Sequence, residues 1–381
     1  MRSDREGMIA AKQGGKPGGQ QPARTRGQRL GLESVLYLLL LGIPVALVAE
    51  VSHGSPVLLF FGSAAAIVPL AHTIGKATED LAARTTAGVG GLLNATFGNA
   101  TELIISLIAL RAGLFEVVKA SLTGSIIGNI LFVMGLSFLV GGAKRERQLF
   151  NRTAASNGGA MLALGAAALL VPAAFAATSP GVKTSTLHGL SIGVAVVLLI
   201  TYALQLVFSL RTHAHLYVEG SGAVQHEAHW SVRRAVITLL VATVGVAWLS
   251  EWLVEGVKAL TLNLGWTQLF IGVVLVALIG NAAEHLSAVT AARDDRMDLC
   301  MAIVLGSALQ ISLFVAPVVV LAGWVMGLQF DLVFNPFEVV AVVVAVGLAH
   351  LVSQDGESNW LEGVGLLSAY AVLAIAFFLH P

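Results

Sequence analysis

Charge and cysteine are both scarce in this chain. Only 12% of its 381 residues are Asp, Glu, Lys or Arg and 56% are hydrophobic, against about 25% and about 45–50% in soluble domains. That balance excludes an ordinary water-soluble fold and points to a polytopic membrane protein. The 22 basic and 22 acidic residues cancel, so net charge suggests neither nucleic acid nor an acidic partner. A single cysteine, Cys300, excludes an internal disulfide and reads as a small buried hydrophobe. The P-loop, the HExxH zinc motif and the nucleophile elbow are also missing, which argues against an enzyme. Four histidines, His213, His215, His226 and His229, cluster between two apolar stretches, but their "HEAH" falls one residue short of the zinc spacing and reads as a solvated loop.

What the chain has in quantity is long apolar runs. Residues 1–30 are rich in Gly, Gln, Pro and Arg, contain no signal-peptide core, and read as a disordered basic cytoplasmic tail. After them come about eleven runs, each of about 20 residues or more and so able to cross a bilayer: 33–52, 55–80, 86–112, 116–142, 153–177, 185–211, 231–256, 265–292, 298–326, 332–352 and 360–380. With the tail in the cytoplasm, 18 of the 22 Lys and Arg fall on the cytoplasmic side, leaving Arg111, Lys119, Lys183 and Lys258 outside. So uneven a split fits the positive-inside rule and supports the count of eleven.

The halves repeat. "GNATELI" at Gly98 to Ile104 returns as "GNAAEHL" at Gly280 to Leu286, 182 residues on, and the same offset relates Gly124 to Gly306, Ser125 to Ser307, Phe132 to Phe314 and Gly141 to Gly323. Such spacing is a duplication. The expected fold is an all-α membrane protein: one N-terminal helix over 33–52, a five-helix repeat over 55–211, a cytoplasmic linker over 212–230, and a second five-helix repeat over 231–380. A repeat of five spans inserts its copy upside down, the inverted plan of secondary transporters, with the site at the midplane between halves.

Each motif places a carboxylate in a hydrocarbon span, where ionisable groups are functional by default. Asn99 and Glu102, like Asn281 and Glu284, are three apart and share one helix face. The next helix of each half begins with Gly-Ser, and Ser125 with Asn129, and Ser307 with Gln310, again share a face. Gly98, Gly124, Gly280 and Gly306 would let these helices approach closely or break, freeing carbonyls toward a cavity. The result is an all-oxygen cage suited to a hard dication such as Ca²⁺, whereas zinc and copper favour the His and Cys that are sparse here. Two carboxylates balance one dication. When it leaves, two like charges in a low dielectric repel each other and lose solvation, so the emptied pair takes up protons. Ion and protons compete for one site, and alternation of the neutralised site between membrane faces exchanges a divalent cation for protons.

These motifs, with "ATEDLA" at Ala77 to Ala82, "SEWLV" at Ser250 to Val254, "GSIIGNILFVMG" from Gly124 and "GSALQISLFVAP" from Gly306, resemble the calcium/proton antiporters of the cation/calcium exchanger superfamily. The resemblance runs from Ala77 nearly to the C-terminus. It implies eleven helices in two inverted five-helix repeats and export of cytosolic Ca²⁺ by proton influx, in a membrane such as the bacterial inner membrane. It also implies Glu102 and Glu284 as the central cation ligands, with Asn99, Asn281, Ser125, Ser307 and Gln310 around them. Ca²⁺ and protons are then the substrates and the lipid bilayer the surroundings, and no cofactor is implied. His285 beside Glu284 reads either as a tuner of proton uptake or as a histidine satisfied by a neighbouring carbonyl. Glu79 and Asp80 sit at a helix end as solvated acids, or by the resemblance as aids to cation access or gating, and Glu251 is placed similarly in the second half. A sodium/calcium exchanger would share the fold but carries a GTSLPE-type motif, and a channel would not require neutralisation at every step.

Overall fold

The computed structural model describes residues 36–52, 54–213 and 229–380. It divides into Met1–Leu38 and Leu39–Pro381, and the fold that follows is that of the second unit. The tail read over 1–30, and residues 214–228 of the linker read over 212–230, lie outside the described residues.

Helices dominate because apolar runs are punctuated by capping residues. In chain order they are α1 (Gly42–Val51), α2 (Pro56–Ala82), α3 (Ala87–Phe97), α4 (Ala100–Arg111), α5 (Phe115–Gly142), α6 (Arg152–Thr178), α7 (Thr184–Thr212), α8 (Val232–Leu264), α9 (Gln268–Gly280), α10 (Ala282–Arg293), α11 (Met297–Val325), α12 (Pro336–Val352) and α13 (Trp360–Leu379). Seven of them are long and apolar enough to span a membrane, or eight if α9 and α10, bent by 64° at their junction, form one span. The chain is an integral membrane protein.

Polar side chains mark where the spans begin. Thr86 accepts from the Val89 amide to start α3 and Asn151 from Ala154 to start α6. Capping boxes start α12 at Asn335 with Glu338 and α13 at Asn359 with Glu362. Eleven spans are expected from the sequence; among the described residues seven or eight helices reach that length and apolarity, while α1, α3, α4 and α12 are shorter. Two span ends also differ from their sequence reading. The seventh, expected to end at 256, runs on to Leu264, because Glu255 and Lys258 only polarise the helix surface and the first breaker is Gly265, which closes the helix at φ +67. The tenth, expected from 332, starts at Pro336. Ahead of it an irregular stretch buries Phe330, Leu332 and Phe334 in alternation, an apolar run with the period of extended chain rather than helix.

The core is built on α5 and α11. Within these spans 78% and 72% of the apolar window is buried, against 22–28% for α6, α7 and α13, whose exposed Leu, Val and Ile match a lipid surface. Both central helices contain a π-helical turn, Gly128–Val133 in α5 and Ile311–Val315 in α11. Close approach depends on glycine: a Cβ on Gly124 would lie 2.2 Å from the Val273 carbonyl oxygen of α9, and one on Gly256 of α8 would lie 2.7 Å from Phe60 Cβ of α2. A short antiparallel pairing, Gln148–Leu149 with Glu357–Ser358, ties the α5–α6 connection to the α12–α13 connection.

Candidate cation site

The third and eighth spans break at their motifs. α3 gives way to α4 at Gly98 and Asn99, and α9 to α10 at Asn281, and the two asparagines adopt nearly the same backbone conformation, φ −101, ψ 19 and φ −92, ψ 6. Each begins a new helix by accepting a backbone bond, Leu103 to Asn99 and His285 to Asn281, both 3.0 Å. Asparagine is a favoured residue at such a position because its side chain caps the next turn. Here neither side chain caps its own helix. They are directed across to the other half instead.

Asn281 Nδ2 donates to Ser125 Oγ at 3.0 Å and to the Ala277 carbonyl at 2.9 Å, so a carbonyl beside the break is engaged by the side chain. Asn281 Oδ1 receives Asn129 Nδ2 at 3.3 Å and Ser307 Oγ at 3.2 Å, and Asn129 also donates to Ser307 Oγ at 2.9 Å. On the other side Asn99 Nδ2 donates to Gln310 Oε1. An amide from each central helix therefore reaches the asparagine of the opposite motif. Asn129 of α5 pairs with Asn281, and Gln310 of α11 pairs with Asn99. The gap-free alignment sets Gln310 against Gly128, one residue short of Asn129, so this correspondence is invisible at an offset of 182.

The carboxylates cross in the same way. A Cβ on Gly280 would stand 3.2 Å from Glu102 Cγ and 3.6 Å from its Oε1, and one on Gly98 would stand 4.0 Å from Glu284 Oε1. Each glutamate lies against the glycine of the other motif. Both sit in the first turn of a helix, where the positive end of the helix dipole favours negative charge. Glu102 is 7% exposed, and among the described residues neither Glu102 Oε2 nor Glu284 Oε2 has a hydrogen-bond partner. Beside Glu102 a cavity of about 10 Å³ is lined by Ser125 and Gly280 among others. Among the described residues no group of three or more His, Cys, Asp or Glu could hold a metal ion, so any cation here must draw on the amides and hydroxyls besides the two carboxylates.

A profile of the sodium/calcium exchanger protein family matches residues 55–211 and 234–379. The chain belongs to this family. It is 46% identical over 366 residues to a Ca(2+)/H(+) antiporter of Aphanothece halophytica, covering 92% of this chain and 98% of that one. It is 44% identical over 342 residues to the Ca(2+)/H(+) antiporter ChaA of Bacillus subtilis, covering 89% and 97%. The solved structure of native YfkE is similar with a TM-score of 0.79 and 41% identity over 91% of this chain and 99% of that one. The resemblance read from the motifs is thus to the right family, and the family match stops and resumes on either side of the linker.

The remaining candidates lie apart from this network. His285 is partly buried and its ring meets Phe132 of α5 edge-on, with centroids 6.2 Å apart. Glu79 is exposed at the end of α2, but Asp80 is not a solvated acid: it is 3% exposed and accepts from the His229 amide at 2.8 Å. The chain returning from the linker packs over it. Glu251 is exposed on α8. Of the four linker histidines, His215 and His226 lie outside the described residues.

Sequence reasoning missed a second buried polar cluster. Lys119 Nζ binds Asp331 Oδ1 and the Val333 carbonyl, both at 2.9 Å, and Thr123 donates to Glu338 Oε1 at 2.8 Å. Glu338 is fully buried and its other oxygen receives the Asn335 amide. The "NPFE" capping-box pattern was the available signal. Nothing local in the sequence links it to α5.

Proposed function

We propose that the protein is a secondary active antiporter that exports cytosolic Ca²⁺ in exchange for protons by alternating access. The observation that carries this reading is the crossed pair of carboxylates, each at a helix break and each set against the other motif, in a chain whose similar relatives are named Ca²⁺/H⁺ antiporters. In this reading Glu102 and Glu284 are the central ligands, and Asn99, Asn281, Ser125, Ser307 and Gln310 supply further oxygens. Asn129 holds Asn281 and Ser307 in place. One dication neutralises both carboxylates, and once it leaves, protons must do so, since two bare charges in low dielectric are costly. The cargo binds as a substrate on one face and leaves on the other.

The same reading gives eleven spans, in which α3 with α4 and α9 with α10 each count as one broken span. After α1, the five spans from α2 to α7 and the five from α8 to α13 are inverted repeats about an axis in the membrane plane. The charge asymmetry puts the N-terminus and the linker in the cytoplasm, the membrane being a bacterial inner membrane.

The test is radioactive calcium uptake into inverted vesicles under an imposed pH gradient. Uptake is expected to follow the gradient, to need no sodium, and to collapse with a protonophore. Uptake that requires sodium instead would assign the chain to sodium-coupled exchange.

A further inference from the structure

The cavity beside Glu102 is lined unequally in the two halves. Besides Glu102, Ser125 and Gly280 it meets Ser106 and Ser121. Ser106 lies one turn beyond Glu102 on α4, and Ser121 one turn before Ser125 on α5, so both hydroxyls lie toward the 112–114 turn that joins these helices. Ser106, Ser121 and Ser125 are 3%, 7% and 4% exposed. The residues 182 positions later are Ala288 and Ile303. The path from Glu284 toward the other face therefore has no hydroxyls in the equivalent places.

The hydrogen-bond roles around this cavity are complementary. Ser121 donates its proton to the Val118 carbonyl at 2.9 Å, which leaves its oxygen to accept. Ser125 accepts from Asn281, which leaves its proton to donate. Glu102 Oε2, in a side chain more than nine-tenths buried, has no partner among the described residues. About 10 Å³ of free space is the room of one water molecule. A water there has two to four polar partners within one small, otherwise apolar volume.

We propose that Ser106, Ser121 and Ser125 hold a water against Glu102, and that this water is the first oxygen the cation regains as it leaves toward the 112–114 face. This rests on the transport reading above and deepens it by giving the two faces unequal exits. A dication bound by 6–8 oxygens leaves by exchanging protein oxygens for water one at a time, as conduction sites do when carbonyls stand in for a hydration shell. On the 112–114 side the first exchange is prepared. On the opposite side Ala288 and Ile303 stand in place of the two serines, and the cation meets instead a cavity of about 240 Å³ lined by Asn151, Gln205, Ser209, Asp298 and Gln310, with no small water pocket against Glu284 among the described residues. Ser106 and Ser121 are thus positioning residues acting through a water, not ligands of the bound ion.

The experiment compares wild type, the double variant Ser106→Ala with Ser121→Ala, and Ser121→Thr, which keeps the hydroxyl. Labelled calcium exchange against unlabelled calcium at equal pH is followed in right-side-out and inverted vesicles, and the half-saturating calcium is measured at each face. In the double variant, half-saturation at the 112–114 face is expected to rise about ten-fold and that at the opposite face to stay at the wild-type value, while Ser121→Thr matches wild type at both. The unchanged face shows that the double variant is folded. An equal change at both faces, no change at either, or loss of exchange at both overturns the proposal. Wild-type vesicles that exchange no calcium at all contradict the transport reading itself, which is a separate outcome.

Discussion

Glu102 and Glu284 each stand three residues into a helix that begins inside the protein, against a glycine of the opposite motif. A carboxylate there cannot be replaced by its amide without consequence, because the amide keeps the shape and removes one of the two charges that balance a dication. Glu102→Gln and Glu284→Gln are each expected to lower calcium flux by more than about a hundred-fold, the scale of about 3–5 kcal/mol for removing one partner of a buried charge pair, while the protein still inserts. Flux in purified vesicles, normalised to inserted protein, checks this, and wild-type flux in either variant would remove that glutamate from the mechanism. The glycines give a second contrast. Gly124 and Gly306 occupy equivalent places, yet a Cβ on Gly124 meets Val273 backbone at 2.2 Å and one on Gly306 meets nothing within 4 Å. Backbone cannot give way as a side-chain end can, so Gly124→Ala should destabilise by about 1–3 kcal/mol. Gly306→Ala should be neutral or slightly stabilising through its better helix propensity. Thermal unfolding in detergent reads both, and equal Tm changes would contradict the asymmetry.

At the level of elements, the sequence announces what is periodic and conceals what is paired at long range. Apolar runs marked the seven or eight helices long enough to span, and both "GNAxE" motifs fall at helix breaks, because Gly and Asn are residues that open a helix from within. Span ends failed where polarity and helix-breaking part company: Lys258 lies beyond the expected end yet inside the helix, and residues 332–335, expected inside a span, precede the helix that starts at Pro336. The match of Asn129 with Gln310 was hidden because the two differ by one residue in register. It emerges only in contact, where each amide finds the asparagine of the other motif. Lys119 with Asp331, and Thr123 with Glu338, join positions more than 200 residues apart, and no local pattern predicts such a pair. The solvated alternative for Asp80 fails for the same reason, since its partner His229 follows the linker. The Lys119 and Thr123 bonds tie the start of α5 to the chain around the start of α12.

In the molecule as a whole, the two most deeply buried spans, α5 and α11, carry the serines and amides, and the broken helices bring the carboxylates to them. Each glutamate lies against the glycine of the other motif, and in the proposed inverted-repeat arrangement one cation would meet both acids. The account also implies that the empty, charged site does not cross. A calcium-occupied site is neutral and alternates freely. A bare pair of carboxylates passing through a closed state costs several kcal/mol per ion. This separates an exchanger from a channel more sharply than any residue does. The decisive measurement is made in vesicles of pure protein with equal pH on both sides: labelled calcium exchange against unlabelled calcium, and net calcium efflux into calcium-free buffer with the membrane potential clamped. Rapid exchange with negligible net efflux is predicted, and net efflux should resume when the far side is acidified and fall again as its pH is raised. Fast net efflux independent of pH would contradict the antiport account and assign the protein to the channels.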